Sequence, residues 1–179
     1  MATERKPKGK MDTEAVMEVY KKLATPGAPH KLLASMSGSW TTRTRAWMEL
    51  GKPPDESAGV CEQKMILGGR FLLQECTGEM MGGKFNGIGY TGYDNHTRKF
   101  VSTWMDSMGT AIYFFEGPAS ADGRGFTQRC RYDDPVKGPM EWRSACTLVD
   151  ETTIVFEMYG TVLGGTEEKM MEMTYTRKV

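Results

Sequence analysis

The chain has 179 residues with 23 basic and 23 acidic side chains, so its formal net charge is zero. A length of this order fits one domain whose core needs no metal or disulfide to hold it. A balanced charge argues against a nucleic-acid binder, because phosphate contacts demand a positive surplus.

Residues 1–10, MATERKPKGK, are polar and basic and read as a disordered tail, without the apolar stretch of a secretory signal. No apolar run approaches membrane-crossing length, so no membrane insertion is expected and the location is read as cytoplasmic. In that compartment Cys61, Cys76, Cys130 and Cys146 read as reduced, buried apolar residues. None of them forms a closely spaced pair, so no metal site is expected.

Helices are predicted across residues 11–37. Asp12 can cap the first, with Glu14 in its opening turn. Val16, Val19, Tyr20 and Leu23 then fall on one face, and Thr25-Pro26-Gly27 breaks the run. A second short helix starts near Pro29, carries Leu32, Leu33 and Met36, and stops at Gly38.

From Trp40 onward the helical period disappears. Segments of strand length alternate with turn signals such as Gly68-Gly69, Gly82-Gly83, Asp94-Asn95, Asp122-Gly123 and Asp150-Glu151. Ten strands are predicted, near 39–49, 58–67, 70–81, 84–93, 98–106, 109–117, 124–132, 139–149, 152–159 and 166–178. Ten consecutive strands without crossover helices read as an all-β barrel or a sandwich. The short, regular turns favour a closed antiparallel up-and-down barrel over residues 38–179.

A barrel of that size has room for its own side chains plus one small ligand. Phe100, Ser102, Trp104 and Asp106 share one strand face. Trp142, Ser144, Cys146 and Leu148 oppose Glu141, Arg143, Ala145, Thr147 and Val149. Neither set is wholly apolar, as expected for a barrel with a mixed cavity.

Gly87-Ile88-Gly89-Tyr90-Thr91-Gly92 matches the spacing of a dinucleotide fingerprint, but a turn and another strand follow it where a helix is required. Its glycines instead let a strand bend or take a close neighbour. There is no nucleophile elbow. The two histidines are His30, a helix-start residue with a backbone hydrogen bond, and His96, in an exposed hairpin turn. The charged residues inside strand patterns are Asp106, Glu116, Arg143 and Glu157, each needing water or a partner.

Several motifs together resemble a bacterial family of unknown function: Gly38-Ser39-Trp40, Leu67-Gly68-Gly69-Arg70-Phe71, Gly92-Tyr93-Asp94 and Trp104-Met105-Asp106-Ser107-Met108-Gly109. That family is similar to the calycins, which include lipocalins and fatty-acid-binding proteins. The resemblance implies a closed barrel with an internal cavity and a structural Trp40, with Arg177 of the last strand stacked over it by a cation–π contact. A haem-binding calycin uses a histidine near its C-terminus. This chain has none there, so no cofactor is expected.

The reading that follows is a binding protein for a small apolar or amphipathic molecule, anchored by Trp104, Asp106, Arg143 and Tyr113. The alternative is a cofactor-independent isomerase or cyclase in the same cavity, with Asp106 or Glu157 as the acid–base group. The helical stripe leaves a homodimer open as a further possibility.

Overall fold

The structure, a computed structural model, describes residues 12–49, 51–80, 82–162 and 165–178. The expected tail over residues 1–10 lies outside them. Two helices come first, α1 (Thr13–Ala24) and α2 (Ala28–Ser35). Ten strands follow: β1 (Gly38–Ala46), β2 (Asp55–Ile66), β3 (Phe71–Met80), β4 (Gly83–Asp94), β5 (Lys99–Asp106), β6 (Tyr113–Gly117), β7 (Gly125–Asp134), β8 (Gly138–Asp150), β9 (Thr153–Val162) and β10 (Glu168–Arg177). Each strand pairs antiparallel with its neighbours in sequence, and β1 pairs with β10 to close an up-and-down barrel. Closure leaves no strand with an unpaired edge. The segment expected as a strand from 109 begins only at Tyr113, because Asp106 turns the chain by accepting from the Met108 backbone amide.

Register fixes which side chains face the lumen, since successive residues alternate between the two faces. Trp40 stands opposite Cys61, Cys61 opposite Cys76, and Cys76 opposite Gly87. Gly89 stands opposite Trp104, and Trp104 opposite Tyr113. This row and its two-residue neighbours form the inner wall.

One end of that wall is closed by α2. Leu33 and Met36 pack with Trp40, Phe100 and Ile154, all essentially without solvent contact. His30 accepts the Gly27 amide proton at Nδ1, as its helix-start position predicts. Arg177 completes the closure. Its guanidinium lies 4.1 Å over the Trp40 ring and donates to the carbonyls of Ser35, Ser37 and Glu151. The Ser35 carbonyl ends α2, where a cation is favoured by the helix dipole, and Ser37 follows just beyond its cap. Gly38 has φ +137°, and an Arg177 nitrogen occupies the space its Cβ would fill. The trp indole donates to the Met36 carbonyl at 3.0 Å.

The first helix is lightly packed, and the cysteine expectation needs correction. Helix α1 buries none of its residues: Val19 and Tyr20 of its stripe are exposed, while Val16 and Leu23 are half-buried. It is tied down where Asn95 donates to the carbonyls of Leu23 and Thr25. The cysteines are not all free thiols. Cys61 and Cys76 face each other across β2 and β3 and form a disulfide, leaving Cys130 and Cys146 free. Among the described residues no helix is long and apolar enough to cross a membrane.

Candidate functional site

The lumen is packed at its α2 end and looser beyond it. Gln74, Thr91, Ser102, Trp104, Trp142, Cys146, Phe156, Met158 and Met173 all occupy inward positions, yet each retains accessible surface. Cys146 is the clearest case. It stands on the inner face between Phe126 and Phe156, and burial pushes its thiol up to about 12. Its inward register turns its accessible surface toward the lumen. Ten strands make a wider barrel than the eight that side chains alone can just fill.

Aromatic rings form the upper wall. Trp142 lies 4.1 Å from the Tyr132 ring and 4.9 Å from that of Tyr113, and it stacks on Phe115 at 6.4 Å. Burial pushes the Tyr132 hydroxyl up to about 12. On the strand next to Tyr113, the Trp104 ring lies flat against β4. A Cβ on Gly87 or Gly89 would come within 2.3 or 2.9 Å of that ring. Two glycines of the apparent dinucleotide fingerprint thus make a seat for an indole. The Trp104 Nε1–H donates to Asp106 Oδ2 at 2.8 Å, which holds the ring in place.

A polar belt crosses the middle. Thr91 donates to Ser102 at 2.9 Å, and Ser102 donates onward to Gln128 Oε1 at 2.9 Å. Gln74 donates to the Tyr175 hydroxyl at 2.9 Å. Ser144 is buried opposite Gln128. Of the four buried polar side-chain atoms without a partner among the described residues, two are N–H donors of inward side chains, Gln128 Nε2 and Trp142 Nε1. Trp142 Nε1 lies near the Tyr132 hydroxyl, but without the alignment of a hydrogen bond. None of this belt was singled out from the sequence. The usable signal was Gln128 sitting between Phe126, Cys130 and Tyr132 in a strand that alternates every second residue.

The anchors expected from the sequence are divided by the wall. Trp104 and Tyr113 face inward, as does Asp106 at the rim. Arg143 does not. It pairs with Arg129 and Tyr159 on the outer face, stacks 4.0 Å over the Tyr159 ring, and makes two hydrogen bonds to Glu167 at 2.7 and 2.8 Å. Glu157 is also outside, 2.5 Å from Lys169. The Lys169 hydrogen bond holds the Glu157 carboxyl below its ordinary range, the reverse of what a general acid needs. Glu116 pairs with Lys99 on the same outer surface. Asp106 and Glu157 therefore lie on opposite sides of the wall and do not converge on one substrate. Long side chains caused the misreading: Arg143 covers Tyr159 with its stem and half-buries an outer face that would otherwise look plainly polar.

Beside the open end, a cleft of about 740 Å³ lies among Trp47, Met140, Gly160, Glu167 and Lys169. Among the described residues no three His, Cys, Asp or Glu side chains are grouped to hold a metal ion.

A model of one protein family matches residues 25–177. The chain belongs to DUF1579, a family of proteins of unknown function. No curated protein matches it in sequence. Among solved structures it is similar to Rv2717c from M. tuberculosis, at 12% identity and a TM-score of 0.62, over 87% of this chain and all of that one. It is also similar to the S-type phycobiliprotein lyase CPES from Guillardia theta, at 11% identity and a TM-score of 0.57, over 83% of this chain and 92% of that one. At these identities the likeness is one of fold. For the DUF1579 chain described here, it agrees with the closed barrel.

Proposed function

We propose that this DUF1579 protein is a calycin-like binding protein that holds a small, largely apolar molecule in its barrel lumen. The observation that carries the reading is the accessible surface kept by inward residues, above all Cys146, Phe156 and Met173. A space lined by aromatic rings and sulfur-bearing side chains, with a few polar groups, is the usual make-up of a small-molecule site. Trp104 and Tyr113 are the proposed wall contacts, and Asp106 positions Trp104 rather than meeting the ligand. The phycobiliprotein lyase shows that a protein with this fold is named for catalysis. No pair of groups inside this lumen supports carrying that over.

Tryptophan emission tests the proposal, because Trp104 and Trp142 face the lumen whereas Trp40 is sealed at the closed end. Titration with the neutral apolar dye N-phenyl-1-naphthylamine or with the hydrocarbon fluorene should change that emission saturably at one site per chain. Trp104→Phe should remove much of the change. Absence of any saturable response to either compound overturns the reading.

A further inference from the structure

The lumen's polar groups also constrain what the apolar molecule must carry. Gln128 is 3% exposed, and its Oε1 is used by Ser102 while its Nε2 has no partner. Trp142 Nε1 is the second buried N–H without an aligned acceptor. The two residues are diagonal neighbours on the inner face of β7 and β8, because Gln128 opposes Ser144 and Cys130 opposes Trp142. Such neighbours lie about 7–8 Å apart in a sheet, a distance one ligand can span. A buried donor left unpaired is costly, and structures rarely retain one without a reason. Both orphans are donors, so the group that would satisfy them is an acceptor.

The charge of that acceptor follows from the other inward residues. Between the closed end and the rim, no Lys or Arg occupies an inward register position among the described residues. Arg177 is committed to Trp40 and three carbonyls. Arg143 and Lys169 are bound to carboxylates on the outer surface. The inward register positions toward the mouth include Asp55, Asp106 and Asp134, all acidic. A ligand carboxylate would thus enter a lumen with no cation to meet it, and that burial is strongly unfavourable.

Resting on the proposed binding function, we infer that the lumen selects a neutral, flat apolar molecule bearing a carbonyl-type oxygen, accepted by the free amide of Gln128 with Trp142 Nε1 beside it. The ligand class is then aromatic or conjugated ketones and their relatives, and fatty acids are disfavoured despite the barrel shape.

Three probes of one skeleton separate the possibilities: fluorene, 9-fluorenone and fluorene-2-carboxylate, titrated by calorimetry into the full chain. Fluorenone should bind about tenfold tighter than fluorene, which is about one hydrogen bond's worth, and the carboxylate should bind weakest. Gln128→Leu should reduce the fluorenone preference to near unity while fluorene affinity holds. Gln128→Met removes the amide at nearly the same volume, so it should lose the preference as well, and it serves if the leucine variant fails to fold. Equal binding of all three, or tightest binding of the carboxylate, overturns the inference and leaves the binding function standing. Failure of all three to bind overturns both.

Discussion

At the α2 end of the barrel, Trp40, Leu33, Met36, Phe100 and Ile154 are enclosed, and Arg177 spends its donors on carbonyls around them. Toward the other end, Trp104, Trp142, Tyr113 and Met158 lie on the same inner face of the same sheet and keep accessible surface. The strands are alike in kind. The difference is a cover: α2 supplies Leu33 and Met36 to fill one end, and no described element does so at the other. A closed sheet therefore provides a wall, and whether the enclosed volume is core or site depends on what plugs it.

The sharpest way to break that contrast is to cut into the packed end. Trp40→Ala should cost about 3–5 kcal/mol in urea unfolding, since it removes a fully enclosed ring and the platform of Arg177. A loss below 1 kcal/mol would mean that this end is no more tightly built than the mouth. Next comes the disulfide, which ties β2 to β3 at the middle of the wall. Its sequence separation is 15, so reduction or Cys61→Ala with Cys76→Ala should cost about 3 kcal/mol. A thiol assay on the unfolded chain should count two reactive cysteines before reduction and four after. Four from the start would support the reduced state read from the sequence.

A smaller, pH-dependent effect belongs to His30 at the closed end. Burial holds its pKa below the ordinary 6.5, so the folded state binds fewer protons there than the unfolded chain does. Its contribution is fully present above pH 6.5 and declines as pH falls below that value. Urea midpoints between pH 7.5 and 5.5 should drop more for the wild type than for His30→Gln. Identical slopes would show that acid does not reach this end through His30. The smallest change is expected at the loose end. Trp142→Phe keeps a ring and removes an unpartnered N–H, so stability should stay within about 1 kcal/mol. A loss matching that of Trp40→Ala would erase the distinction between the two ends.

Much of this architecture was legible beforehand, and for local reasons. Turn glycines and aspartates mark hairpins, and a chain of hairpins without crossovers has few ways to close. The shared face of Phe100, Ser102, Trp104 and Asp106 was readable from alternation alone, and it is the inner one. The site was less legible because alternation separates two faces without saying which is inside. On β8 it put Arg143 opposite to Trp142, and only the register shows that Trp142 takes the inner face and the expected anchor Arg143 the outer one. Even the disulfide had a trace: Cys61 and Cys76 are equidistant from the Gly68-Gly69 turn, so a tight hairpin there sets them face to face. The polar belt had the weakest signal, because Ser102 and Gln128 meet across two strands whose adjacency only closure establishes.

The seam between β1 and β10 has a bearing on how the molecule comes into being. The free side of β1 must wait for a strand more than a hundred residues later, from Glu168 onward. At ribosomal speeds of about 5–20 residues per second, that delay is on the order of ten seconds. Throughout it the nascent sheet carries an open hydrogen-bonding edge, and α2 has no Arg177 to fasten it. Such distant pairing makes for slow folding. In a crowded cell, the hazard for this chain thus falls before its last strand arrives, when another copy's edge can take the place reserved for its own.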